Sequence, residues 1–206
     1  MSSTQLAPST SAARWRTVDI VLTAVIAVAG GIIFAVYNQT YKVLDPLWAA
    51  FPPSSGLQTG VWLFPGILAA LVIRRPGAGL FAELVAAVIS ALFGSSFGLT
   101  VLVSGALQGL GAELGSALLG RYRRFGLPVA LAAGALTGFA CGINDTFLMQ
   151  FYPEYPASWL WAYVGFVTLS GLITGVVMWF LTRGLAATGV LAPLRSRGAN
   201  REGWLG

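Results

Sequence analysis

Histidine is absent from the 206 residues, and cysteine and lysine appear once each, as Cys141 and Lys42. A single cysteine excludes an internal disulfide, and without histidine it makes no transition-metal centre of the imidazole and thiolate kind. Ser-His-Asp catalysis has no base to work with. No GxxxxGK[ST] loop surrounds the lone lysine, which excludes ATP hydrolysis by the P-loop route. Charge is scarce as well: 9% of residues are charged, against about 25% in soluble domains. Carboxylates and serines remain, but they assemble into no recognisable enzyme site. Neither an enzymatic activity nor a cofactor is expected.

Apolar residues fill the gap, at 56% of the chain, and they fall in long runs. Six runs approach the ~20 residues that a bilayer needs. The pattern predicts helices over about 17–37, 57–73, 76–93, 97–119, 127–150 and 159–185. The expected fold is therefore an all-α integral membrane protein of six transmembrane helices. Residues 1–13 read as a disordered polar tail with no cleavable signal, 14–186 as the membrane domain and 187–206 as a basic cytoplasmic tail. The pI of about 9.9 does not imply nucleic acid, because the arginines cluster where topology requires them. Arg14, Arg16, Arg74, Arg75, Arg121, Arg123, Arg124, Arg183 and the tail arginines share one predicted face, and the other face has only Lys42. The positive-inside rule then places both termini in the cytoplasm.

Between Arg74 and Arg124 lies an antiparallel hairpin, turning at Gly94-Ser95-Ser96, with one glutamate in each helix. Glu83 lies eight residues after Arg75 and Glu113 eight before Arg121, so both sit roughly 12 Å above the arginine face. Acids at that depth are costly and are functional candidates. Two readings stand: each fixes the bundle by bonding to a neighbouring helix, with a proton shared across the hairpin, or each contacts a ligand or partner. Gln108 and Glu113, roughly 140° apart on their helix, face different neighbours.

The predicted outer ends are rich in groups that recognise flat or cationic molecules. Tyr37, Asn38 and Tyr41 close the first helix, and Gln58 and Trp62 open the second. Gln108 lies deep in the fourth, Asn144 and Asp145 end the fifth, and Trp159, Trp161 and Tyr163 begin the sixth. Aromatic faces bind organic cations, although tryptophan and tyrosine also serve as simple interface anchors. The short, Pro65-Gly66-containing second helix either borders a binding site or is a kinked structural span. Thr23, Ala27, Gly31 and Ala35 recur every four residues, a small-residue stripe that serves packing within the chain or docking to a partner.

The segments RPGAGLFAELVAAVIS and GLTVLVSGALQGLGAEL, followed by the RYRR turn, resemble the YkoE-type substrate-capture (S) components of energy-coupling-factor transporters. The likeness runs from Trp15 to about Gly184. It implies a six-helix protein in a prokaryotic plasma membrane that binds thiamine or its hydroxymethylpyrimidine moiety from outside. It also implies a transmembrane coupling subunit and separately encoded ABC ATPases as partners. Such S components are thought to dock partly through small residues of the first helix, here the Thr23/Ala27/Gly31/Ala35 stripe. The expected substrate contacts are Tyr37, Trp62, Glu83, Gln108, Glu113, Asn144, Asp145, Trp159 and Tyr163. The alternatives are a proton-coupled carrier relaying through Glu83 and Glu113, or a membrane assembly protein using its glycine-rich faces.

Overall fold

In hydrocarbon every backbone polar group must be satisfied within the protein, and each apolar run accordingly folds as a helix. The computed structural model describes residues 14–95 and 97–205; the polar stretch 1–13 and Ser96 of the predicted turn lie outside them. The helices are α1 (Thr17–Thr40), α2 (Phe64–Ile73), α3 (Ala78–Leu92), α4 (Thr100–Gly115), α5 (Leu127–Ile143) and α6 (Ala157–Ala187). Among the described residues, five helical segments are long and apolar enough to cross a membrane, counting the short helical pieces that extend them; α3 is a shorter apolar helix.

The largest departure from the sequence reading lies before α2. The helix predicted over 57–73 divides into a 3₁₀ stretch, Pro52–Trp62, and the ten-residue α2. Hydroxyls of α6 hold the 3₁₀ stretch: Ser170 Oγ accepts from Gly60 N at 2.9 Å and donates to the Leu57 carbonyl at 2.7 Å. A Cβ at Gly60 would lie 2.6 Å from Thr174 Oγ1, so only glycine lets this stretch lie so close to α6. Pro76 precedes α3 rather than sitting in its first turn, because Arg74 and Gly77 take left-handed backbone and the helix starts at Ala78. Further wider turns, Ser116–Gly120 and Asn144–Leu148, extend α4 and α5.

α5 and α6 pack backbone to backbone. A Cβ on Gly134 would lie 2.1 Å from the Gly171 carbonyl oxygen, and one on Gly171 would lie 2.2 Å from that of Gly134. Small residues are what permit such an approach in a membrane bundle. On α1, Thr23, Ala27 and Gly31 are buried within the chain, and a Cβ at Gly31 would lie 2.6 Å from Ile89 Cβ of α3. Ala35 instead lines a shallow groove beside Ile32 and Val36, while Val21, Val25 and Ile32 are exposed.

At the arginine-rich end the polar groups satisfy one another. Asp19 is fully buried and accepts from Arg16 Nη2 at 2.8 Å and from Arg75 Nε at 3.1 Å. The segment after α6 folds back beneath the bundle. Ser196 Oγ donates to the Val72 carbonyl at 2.6 Å, and Arg74 Nη2 donates to Glu202 Oε2 at 2.7 Å. Arg183 donates to the Ala199 and Asn200 carbonyls, each at 3.0 Å, and the Trp204 ring packs 5.1 Å from Trp179. Helix carbonyls and arginines therefore bind this segment to the bundle.

Candidate substrate-binding site

A cavity of about 310 Å³ lies at the end of the bundle opposite the arginines. Its walls come from several parts of the chain: Asn38 in the last turn of α1 and Tyr41 just after it, Gln58 and Trp62 of the 3₁₀ stretch, Ser90 of α3, and Phe97 of the following turn. Ser104 and Gln108 of α4 continue the wall, joined by Cys141 and Asp145 of the α5 end, Phe151 and Tyr152 of the next loop, and Tyr163 of α6. Pockets of this size, mostly apolar with a few convergent polar groups, are what small organic ligands occupy.

The aromatic side is braced. Trp62 Nε1 donates to Asn38 Oδ1 at 2.9 Å, while Asn38 Nδ2 donates to Ser90 Oγ at 2.9 Å, which fixes the indole edge. Around Trp62 the rings of Tyr37, Tyr41 and Phe97 have centroids at 4.7, 5.4 and 6.2 Å. Phe97 in turn lies 5.6 Å from Phe151, which extends the aromatic wall to the α5–α6 loop. Tyr152 Oη donates to Tyr163 Oη at 3.2 Å; burial pushes the Tyr152 phenol above its ordinary range, so it stays a neutral hydroxyl.

The polar side centres on Asp145, the one carboxylate in the cavity wall. It sits in the wider turn that ends α5, a local irregularity common at functional sites. Tyr163 Oη donates to its Oδ2 at 3.3 Å, and Asn144 Nδ2 donates to its Oδ1 at 3.1 Å. Asn144 does not line the cavity; it stands behind Asp145 and also donates to Ser104 Oγ at 2.9 Å. The Gln108 amide meets its neighbours' needs with its nitrogen toward Glu83 Oε1 and the Trp62 carbonyl, each at 3.2 Å.

Of the expected substrate contacts, Trp62, Gln108, Asp145 and Tyr163 line the cavity. Tyr37 braces Trp62 from outside, and Trp159 lies apart, packed on Phe51 and Tyr155 at 5.7 and 5.4 Å. Glu83 and Glu113 lie outside the cavity and take separate partners. Glu83 Oε2 accepts from Gly66 N at 2.6 Å. Glu113 caps the start of α3, accepting from Gly79 N at 2.6 Å, from Gly77 N at 2.9 Å and from the Tyr122 hydroxyl. A carboxylate at a helix N-terminus is stabilised by the free N–H groups there. Burial first, and Glu113 beside it, push the Tyr122 phenol upward and keep it protonated as a donor. The two glutamates are thus engaged with backbone on α2 and α3, with no bond between them for a shared proton.

Phe151 and Tyr152 escaped the sequence reading as site residues because a proline-rich aromatic loop reads equally well as an interface anchor. Ser90, Ser104 and Cys141 sit within apolar helices, where only the packing reveals that their face borders a cavity. Among the described residues, no three or more His, Cys, Asp or Glu side chains form a metal-binding group.

Three comparisons bear on the family. The model of the ABC-type cobalt transport system permease component matches residues 18–140. The putative HMP/thiamine permease protein YkoE of Bacillus subtilis is 32% identical over 180 residues, covering 86% of this chain and 87% of that protein. A crystal structure of an S component of an ECF transporter superposes with a TM-score of 0.78 at 30% identity, covering 92% of this chain and all of the other. With its six apolar helices and its cavity opposite the arginine-rich end, the chain belongs to the family of YkoE-like S components of ECF transporters.

Proposed function

We propose that this chain captures thiamine or its hydroxymethylpyrimidine moiety in the 310 Å³ cavity and delivers it inward as the S component of an ECF transporter. The observation that carries this reading is a cavity with an aromatic wall around Trp62 facing a single carboxylate, Asp145. Aromatic faces and a carboxylate suit a flat, positively charged heterocycle. The relative's name, a putative HMP/thiamine permease, points to the same chemistry. The chain acts as a carrier subunit, not as an enzyme. Trp62, Gln108, Asp145 and Tyr163 touch the ligand, Tyr37 and Asn144 support them, and Glu83 and Glu113 hold the helices.

With the arginine-rich end in the cytoplasm, both termini and the segment 187–206 face inward and the cavity opens outward. A transmembrane coupling subunit and ABC ATPases supply the energy that this chain has no P-loop to provide. Thr23, Ala27 and Gly31 are engaged within the chain, so the exposed face of α1 through Val21, Val25 and Ile32 is the surface that helix offers the coupling subunit. Native mass spectrometry of the protein in mild detergent tests the reading. The expected result is a co-purified mass of thiamine or hydroxymethylpyrimidine. No such mass, together with no heat on titrating either compound, overturns it.

A further inference from the structure

We propose that Glu83 is a positioning residue: from behind the cavity wall it holds the Gln108 amide with its oxygen toward the cavity, so that the site selects ligands that donate a hydrogen bond there. The inference rests on the reading that the ligand is an amino-heterocycle of the thiamine type.

Glu83 is fully buried and is not part of the cavity wall. Its Oε2 is fixed to α2 by Gly66 N at 2.6 Å, and a Cβ on Gly66 would lie 2.8 Å from that oxygen, so only glycine there lets the carboxyl come so close. Its Oε1 and the Trp62 carbonyl both lie 3.2 Å from the same end of the Gln108 amide. A backbone carbonyl only accepts, so that end must be the NH₂ group. The other end lies 3.1 Å from the Sγ of Cys141, a residue of the cavity wall, and it must be the oxygen. The deep wall therefore offers two acceptors, the Gln108 oxygen and the Asp145 carboxylate. A 4-amino group can donate to them; a 4-oxo group in its place sets acceptor against acceptor. Sites built to bond a donor reject analogues that lack it, because their buried groups go unpaired.

In Glu83→Gln the new amide must give its oxygen to Gly66 N–H, which turns its NH₂ toward that of Gln108. Gln108 then has no orientation that satisfies both neighbours, since reversing it sets its oxygen against the Trp62 carbonyl, and the hold on its oxygen toward the cavity is weakened. The experiment titrates thiamine and its 4-oxo analogue into the full chain in detergent, with melting curves recorded alongside. Wild type is expected to prefer thiamine by about 100-fold or more, and folded Glu83→Gln to lose at least about tenfold of that ratio. An unchanged ratio in folded Glu83→Gln overturns the proposal.

If Glu83→Gln does not fold, Gln108→Glu and Gln108→Met decide. With oxygen toward the cavity, Gln108→Glu as the neutral acid, its O–H toward the Trp62 carbonyl, keeps the preference for thiamine and Gln108→Met loses it. The reverse ranking means that the amide donates into the cavity and overturns the proposal. Wild type that binds both compounds equally also overturns it, whereas wild type that binds neither removes the thiamine-type reading itself.

Discussion

The two ends of the bundle use polar groups in opposite ways. At the arginine-rich end each acid is closed off by donors: Asp19 by Arg16 and Arg75, Glu202 by Arg74, and Glu113 by two glycine N–H groups and Tyr122. At the other end Asp145, Gln108 and Tyr163 share a cavity wall with aromatic rings, and the bond among them, from Tyr163 Oη to Asp145 Oδ2, is longer, at 3.3 Å. Behind them Asn144 Oδ1 is buried without a partner. Satisfied charges hold helices together; groups with capacity to spare are suited to recognise something. A buried carboxylate in this bundle is therefore read by what it faces and not by its depth.

Substitutions can break that contrast. The largest effect is expected from Arg75→Leu, which leaves the fully buried Asp19 short of a cation. Removing one partner of a buried pair costs about 3–5 kcal/mol. The melting temperature should fall steeply, while any protein that remains folded binds thiamine with wild-type affinity in a calorimetric titration. Asp145→Asn should behave in the opposite way, weakening thiamine about 30-fold with an unchanged or higher melting temperature, since a buried charge is removed from the free protein. Trp62→Leu removes the central ring of the aromatic wall and should cost about tenfold in affinity. Trp159→Leu, whose ring packs away from the cavity, should change affinity less than about twofold in the same titration.

Much of the architecture was legible in the sequence, because apolar runs of membrane length and arginine clusters are one-dimensional signals. The cavity was partly legible: Trp62, Gln108, Asp145 and Tyr163 stand out as polar or amphipathic groups in apolar surroundings. The partners of Glu83 and Glu113 were not, because helical phase tells which residues share a face and not which neighbour that face meets. Glu113 bonds to the backbone of Gly77 and Gly79, and backbone N–H groups leave no mark in a residue pattern. The 3₁₀ stretch before α2 was hidden for a similar reason. Its hold on Ser170 depends on residues 110 positions away. The return of the last segment beneath the bundle rests on arginine bonds to carbonyls, which composition reads only as a basic tail.

The division between a recognising end and a holding end is tested most directly by titrating thiamine into Gln108→Leu and Glu113→Gln side by side, with melting curves on both. Gln108 lines the cavity, and its loss should weaken binding roughly 5- to 150-fold in the protein that remains folded, with some fall in melting because Glu83 Oε1 loses a donor. Glu113→Gln puts an amide NH₂ against a glycine N–H at the start of α3, so it should melt lower and bind within about twofold of wild type. If Glu113→Gln instead abolishes binding in a protein that melts normally, while Gln108→Leu binds as wild type does, the ligand sits near the arginine end and the division is wrong.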